Sequence, residues 1–143
     1  MAAIASKIHA ILVGMDRYEA YSTHFDRAIP DVNAMREFLI KLGVDEKKIQ
    51  TFEKAELTTK QEIMRKVASL KESANRGDPI IFYYSGFPGT TKVNGRPAGM
   101  ICPYDVLTHQ GGISDTALIQ MFDDLAPFCG NNIVSSVITS PKL

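Results

Sequence analysis

A chain of 143 residues is long enough to bury a core without disulfides or metal ions to staple it, and one domain over residues 1–143 is the expectation. Its 16 basic and 16 acidic side chains cancel, which removes the long-range field that draws proteins to nucleic acid or anionic lipid. The same neutrality weakens repulsion between copies, so the expected partner is a second copy or another protein, with no nucleic acid and no membrane.

Residues 1–7 are rich in small side chains, and no basic cluster precedes the apolar run Ile8-His9-Ala10-Ile11-Leu12-Val13-Gly14. That run reads as a first strand, buried on both faces and stopping at a glycine, and not as a leader peptide. No apolar stretch approaches the length of a membrane span. Cys102 and Cys129 have neither CxxC spacing nor histidines placed as zinc ligands, so the expectation is reduced thiols, a cytoplasmic setting, and no metal or other cofactor.

From Pro30 the pattern becomes helical. Val32, Met35, Phe38, Leu39 and Leu42 share one face, Pro30 and Asp31 suit a first turn, and Gly43 suits a C-terminal cap, which predicts a helix over 30–42. Residues 49–52 form a brief second strand. Thr59 and Glu62 have capping-box spacing ahead of Ile63, Val67, Leu70 and Ala74, predicting a helix over 59–74. Asp78-Pro79 leads into a third strand, Ile80-Ile81-Phe82-Tyr83-Tyr84, ending in Ser85-Gly86. Asn94-Gly95 tolerates the positive φ angles of a type I′ turn, so a hairpin is expected over 91–100. Ser114 caps a helix over 114–126, with Ile113 and Leu118 at staple spacing and Pro127 as its stop. Residues 133–138 make the last strand. Strands alternating with amphipathic helices need crossover connections, and these build an α/β fold with a mainly parallel sheet of about four strands covered on both sides.

Five segments then line up with a known family. Gly14-Met15-Asp16-Arg17-Tyr18, Phe82-Tyr83-Tyr84-Ser85-Gly86, Ile101-Cys102-Pro103-Tyr104-Asp105, Gly112-Ile113-Ser114-Asp115 and Gly130-Asn131-Asn132-Ile133 occur in the order seen in fungal metacaspase-like proteins of the caspase clan. The chain resembles that family, of the peptidase C14 type, from about residue 8 to residue 133. The resemblance implies a three-layer caspase-like fold. In active members the tyrosine-rich strand ends in Ser or Ala followed by Gly-His-Gly, and the histidine is the base. Here Phe87 stands in its place, and a phenyl ring has no lone pair with which to accept a proton. The next strand in active members leads to an Asp-Cys-Cys-His type of motif that carries the nucleophile. After Asn132-Ile133 this chain reads Val134-Ser135-Ser136-Val137-Ile138-Thr139-Ser140-Pro141, without a cysteine.

The expectation is therefore a degenerate, shortened caspase-like domain, a pseudopeptidase acting by binding or self-assembly or as a regulator of active metacaspases. The alternative is a residual cysteine or serine hydrolase with a relocated nucleophile. Family enzymes continue into a small-subunit portion, and a sheet without it would expose an apolar edge, to be paired with a second copy or blunted by Pro141 and Lys142. Asp31 matches an aspartate that the resemblance places near a pocket for a basic side chain, a vestigial specificity pocket. Read from the residues alone, it is a carboxylate favoured by a helix N-terminus, and that reading is preferred. His9 falls in strand one and His24 and His109 in loops, with no visible pairing to Cys102 or a serine. Cys102 reads as a small loop residue and Cys129 as a helix-end residue. Asp123-Asp124 reads as solvated helix charge and not a calcium pair, and Tyr83 and Tyr84 read as core and not a ligand platform.

Overall fold

The computed structural model describes residues 2–16, 27–106 and 111–139. After a four-residue turn of helix, α1 (Ala2–Ala5), the chain enters β1 (His9–Gly14), whose six residues are all buried. A strand apolar on both faces is stable only inside a covered sheet. It lies between β2 (Ile49–Phe52) and β3 (Ile80–Gly86), and β3 in turn pairs with β7 (Ile133–Thr139). All three pairings of the order β2-β1-β3-β7 are parallel, with Val13 opposite both Phe52 and Tyr84, and Tyr84 opposite Val137. The expected sheet of about four strands is present, between helices on both sides.

Alternation along the strands sorts the core into two layers. Ala10, Leu12 and Tyr83 face α2 (Ala28–Leu42) and pack with its Val32 and Leu39. Ile11, Val13, Phe82 and Tyr84 face α3 (Lys60–Ser73) and α4 (Asp115–Cys129), where they meet Ile63, Val67, Leu118 and Leu125. Each fully buried side chain of this kind contributes roughly 1.5–3 kcal/mol relative to exposure.

The helix ends follow local chemistry. Thr59 caps α3 by accepting from the Glu62 N–H at 3.3 Å, and Ser114 caps α4 by accepting from the Ala117 N–H at 3.0 Å. Gly43 closes α2 at φ 113°, its own N–H reaching the Ile40 carbonyl while the Val44 N–H reaches that of Leu39. Two ends depart from expectation: α2 begins at Ala28, two residues before Pro30, and α4 runs through Pro127 to Cys129. A proline in the last turn forfeits a single helical bond. Here the Gly130 N–H still reaches the Ala126 carbonyl, Arg76 donates to the Pro127 carbonyl, and buried Cys129 anchors the turn.

Between β3 and α4 the chain makes a second, antiparallel sheet of β4 (Pro88–Val93), β5 (Arg96–Ile101) and β6 (Ile113–Ser114). Asn94 at φ 53° and Gly95 at φ 79° form the hairpin turn, and β4 begins three residues before the expected hairpin. β6 was not expected at all, because two residues carry no periodicity.

At the amino ends of the strands, buried His9 and Asp78 meet at 3.1 Å between Nε2 and Oδ2, and the same carboxylate oxygen accepts from the Asn75 N–H at 2.9 Å. Burial works against the Asp78 charge, but the Asn75 hydrogen bond and the His9 contact outweigh it and hold the carboxyl below its ordinary 3.8. A depressed folded-state pKa gives stability that is present above the unfolded value and lost as pH falls through the folded one. Asp78→Ala is therefore expected to cost about 1–3 kcal/mol near neutral pH. Urea midpoints of the variant and the parent should converge progressively as the pH is taken below about 4.

Candidate functional site

Parallel strands bring all their carboxyl ends to one edge, where open α/β sheets place their ligands. Gly14, Gly86 and Thr139 end β1, β3 and β7 there. A Cβ on Gly14 would lie 2.8 Å from Val32 and 3.1 Å from the Ala28 carbonyl oxygen, so α2 rests directly on the end of β1. That approach carries Asp31, in the first turn of α2, to the end of β3. The Ser85 hydroxyl donates to Asp31 Oδ2 at 2.9 Å, and the Met15 N–H donates to the Ser85 carbonyl at 2.9 Å. Burial, and then the Asp31 charge, push the Tyr83 phenol above its ordinary range.

On the other face, Tyr84 is completely buried and its hydroxyl works as a clasp. It donates to the Phe87 carbonyl at 3.1 Å and accepts from the Cys102 N–H at 3.3 Å, tying the turn after β3 to the loop after β5. The half-buried Phe87 packs against the core cluster that contains Tyr84 and Cys102. A Cβ at Gly89 would fall 2.5 Å from Cys102 Sγ, so the hairpin lies tight against the thiol. β7 reaches the same edge, with Ser85 opposite Ile138 and Gly86 opposite Thr139. Residues 140–143 lie outside the described residues.

The two thiols sit in different places. Cys102 is buried beside Phe87, and burial pushes its thiol up to about 11. Cys129 is buried at the amino-end side, donating to the Leu70 carbonyl at 3.3 Å, and burial with the nearby Asp78 charge raises it too. His9 opens β1 opposite Ile80, so about 13 Å of strand separates it from the level of Tyr84 and Cys102. His24 and His109 lie outside the described residues. At neutral pH a thiol titrating near 11 is about one part in ten thousand thiolate, roughly 100-fold less than an ordinary one. A disulfide-exchange reagent is accordingly expected to label neither cysteine of the native protein near neutral pH and both after denaturation, read by absorbance.

The remaining sequence candidates resolve as follows. Asp123 and Asp124 are exposed on α4, where Asp124 accepts from Gln120 at 2.9 Å. Tyr83 and Tyr84 point to opposite faces and are buried in the two core layers. Among the described residues no three His, Cys, Asp or Glu side chains converge as a metal site, and no helix is long and apolar enough to cross a membrane. The Asp31–Ser85 contact and the Tyr84 clasp escape sequence reading. Each joins residues with no shared local pattern, and only the seating of α2 and of the hairpin brings them together.

A parallel sheet between helices, with its polar and aromatic cluster at the carboxyl ends of the strands, is an α/β architecture consistent with a caspase-like domain. The family model for the metacaspase, peptidase C14 domain matches residues 9–139, and the chain belongs to that family. Among solved structures, the crystal structure of protein GSU0716 from Geobacter sulfurreducens is similar, with a TM-score of 0.69 and 14% identity over 94% of this chain. At that identity the likeness concerns the fold alone. The match covers 50% of the bacterial chain, so the present sequence spans about half its length. A comparison with curated protein sequences gives no match.

Proposed function

We propose that this chain is a non-catalytic member of the metacaspase family, acting by binding or self-assembly, with regulation of an active relative as its wider role. The observation that carries the reading is Phe87, which follows β3 where the family motif has its histidine base. Three further features support it. Residues 134–141, where relatives carry the nucleophile, contain no cysteine. Both cysteines of the chain are buried, with thiols held above their ordinary range. His9 is engaged with Asp78 at the amino end of the sheet.

Asp31 fits this reading as a former specificity carboxylate now engaged by the Ser85 hydroxyl. Two free cysteines suit a reducing, cytoplasmic setting. The deciding experiment is a peptidase assay on basic- and acidic-ended peptides, with the cysteine variants as controls. Among the described residues no contact of a nucleophile with a base favours the hydrolase alternative.

A further inference from the structure

We propose that the cavity at the amino ends of the strands, between β2 and α3, is a binding site for inorganic phosphate, held by Lys47, Lys48 and Lys66 and recognised by His9 through the proton that the ion retains. The inference goes beyond the non-catalytic reading and does not depend on it.

The cavity holds about 400 Å³ and is walled by His9 at the start of β1, by Lys47 and Lys48 just before β2, and by Lys66 and Glu72 on α3. It lies on the β2 side of the sheet, with β1 and β3 between it and β7, and at the opposite end of the strands from Asp31 and Ser85. Positive charge gathers here although the whole chain is neutral. Three ammonium groups line the cavity against one carboxylate, that of Glu72, which is exposed to solvent. Among the described residues neither Lys47 nor Lys66 is engaged in an ion pair. Half-buried Lys48 donates to the Ser6 carbonyl at 2.8 Å, which orients the ammonium and leaves its other N–H groups for a ligand. Ser69 and Ser73 also line the cavity, but their hydroxyls donate to carbonyls of α3 itself at 2.7 and 3.4 Å, so on this wall Lys66 is what an anion meets.

His9 decides which anion fits. It is 4% exposed, and among the described residues its ring makes one hydrogen bond, between Nε2 and Asp78 Oδ2 at 3.1 Å. Burial opposes the Asp78 charge, yet the Asn75 N–H, His9 and Lys48 hold the carboxyl below its ordinary range, so it accepts and cannot donate. The ring hydrogen therefore sits on Nε2, and a neutral ring offers a lone pair at Nδ1. Among the described residues Thr51 Oγ1 is the buried side-chain polar atom without a partner, so Nδ1, which has none either, is open to the cavity that His9 lines. A ligand oxygen placed there must carry a hydrogen. At about pH 8 inorganic phosphate is a dianion that keeps one proton, whereas sulfate is a dianion with none and a phosphate monoester has shed its last proton at about 6. Equal charge and similar shape leave that proton as the distinguishing feature.

The test is calorimetric titration of the folded chain at about pH 8 and constant ionic strength with sodium phosphate, sodium sulfate and methyl phosphate. Phosphate should bind saturably, one ion to each chain, with the other two at least ~10-fold weaker for want of the hydrogen bond. Phosphate alone should move the His9 ring signals in NMR. Lys47 and Lys66 are not core residues, so Lys47→Gln and Lys66→Gln should keep the parent's circular dichroism while each weakens phosphate binding at least ~10-fold. Absence of saturable binding, sulfate or methyl phosphate bound as tightly as phosphate, His9 signals that stay in place, or an affinity unchanged in both lysine variants would overturn the proposal. The readout is binding alone, so failure here is separable from failure of the non-catalytic reading, which a peptidase assay decides.

Discussion

Arg-, Lys- and Asp-ended peptide substrates incubated with the purified protein, with or without calcium, are expected to remain intact. Cleavage of the family's kind needs a thiolate to attack the carbonyl and an imidazole to manage the proton. The turn after β3 presents Phe87, whose ring packs on the core and whose carbonyl is held by the Tyr84 hydroxyl. The nearest thiol, Cys102, has its pKa pushed up to about 11 and is enclosed by the hairpin at Gly89. Removing one member of a catalytic pair costs roughly 10⁴- to 10⁶-fold in turnover. Phe87→His supplies an imidazole but no nucleophile, so on the proposed non-catalytic reading it should leave the rate at background. Cleavage that disappeared in Cys102→Ala or Cys129→Ala would show that a relocated thiol does the chemistry and would end the non-catalytic reading.

The largest loss of stability is expected for Phe82→Ala. Phe82 is fully buried at the centre of β3, between β1 and β7, and its ring meets Phe122 of α4 edge-on at 5.9 Å between centroids and 65° between planes. Truncation removes the transfer energy of the ring, leaves a cavity that the flanking strands cannot close, and deletes an aromatic pair. The expected cost is about 3–5 kcal/mol, against a total stability for a domain this size of roughly 5–15 kcal/mol. Urea unfolding followed by circular dichroism would measure it. An unchanged urea midpoint would show that the α4 face of the sheet is not the closed core described above. Ile119→Ala is a useful contrast, because that exposed residue of the same helix should move the midpoint little.

Much of the architecture is legible in the sequence, and the physical reason is range. A Thr59 or Ser114 cap, the Gly43 stop and the Asn94-Gly95 turn are decided by backbone groups two to four residues away, so the signal and its consequence lie in one short window. Continuous apolar runs identified β1 and β3 because strands covered on both faces have no polar side to show. Pro127 misled for the opposite reason. Its local preference to stop a helix was outweighed by the burial of Cys129 and a bond from Arg76, residues far away in sequence or lacking any local mark.

The candidate site divides along the same line. By itself the sequence determined how many thiols exist and where charges and caps fall, because these are matters of identity and spacing. Only the tertiary structure decided that Asp31 meets Ser85 across 54 residues of chain, that Tyr84 clasps Phe87 and Cys102, and that His9 is taken by Asp78. It alone decided the order β2-β1-β3-β7, which among the described residues puts Ile133–Thr139 on the outside of the sheet. Apolar strands of similar composition are interior or edge according to which neighbours the crossovers bring beside them. That choice is settled by the packing of helices on both faces at once, and no window of sequence contains it.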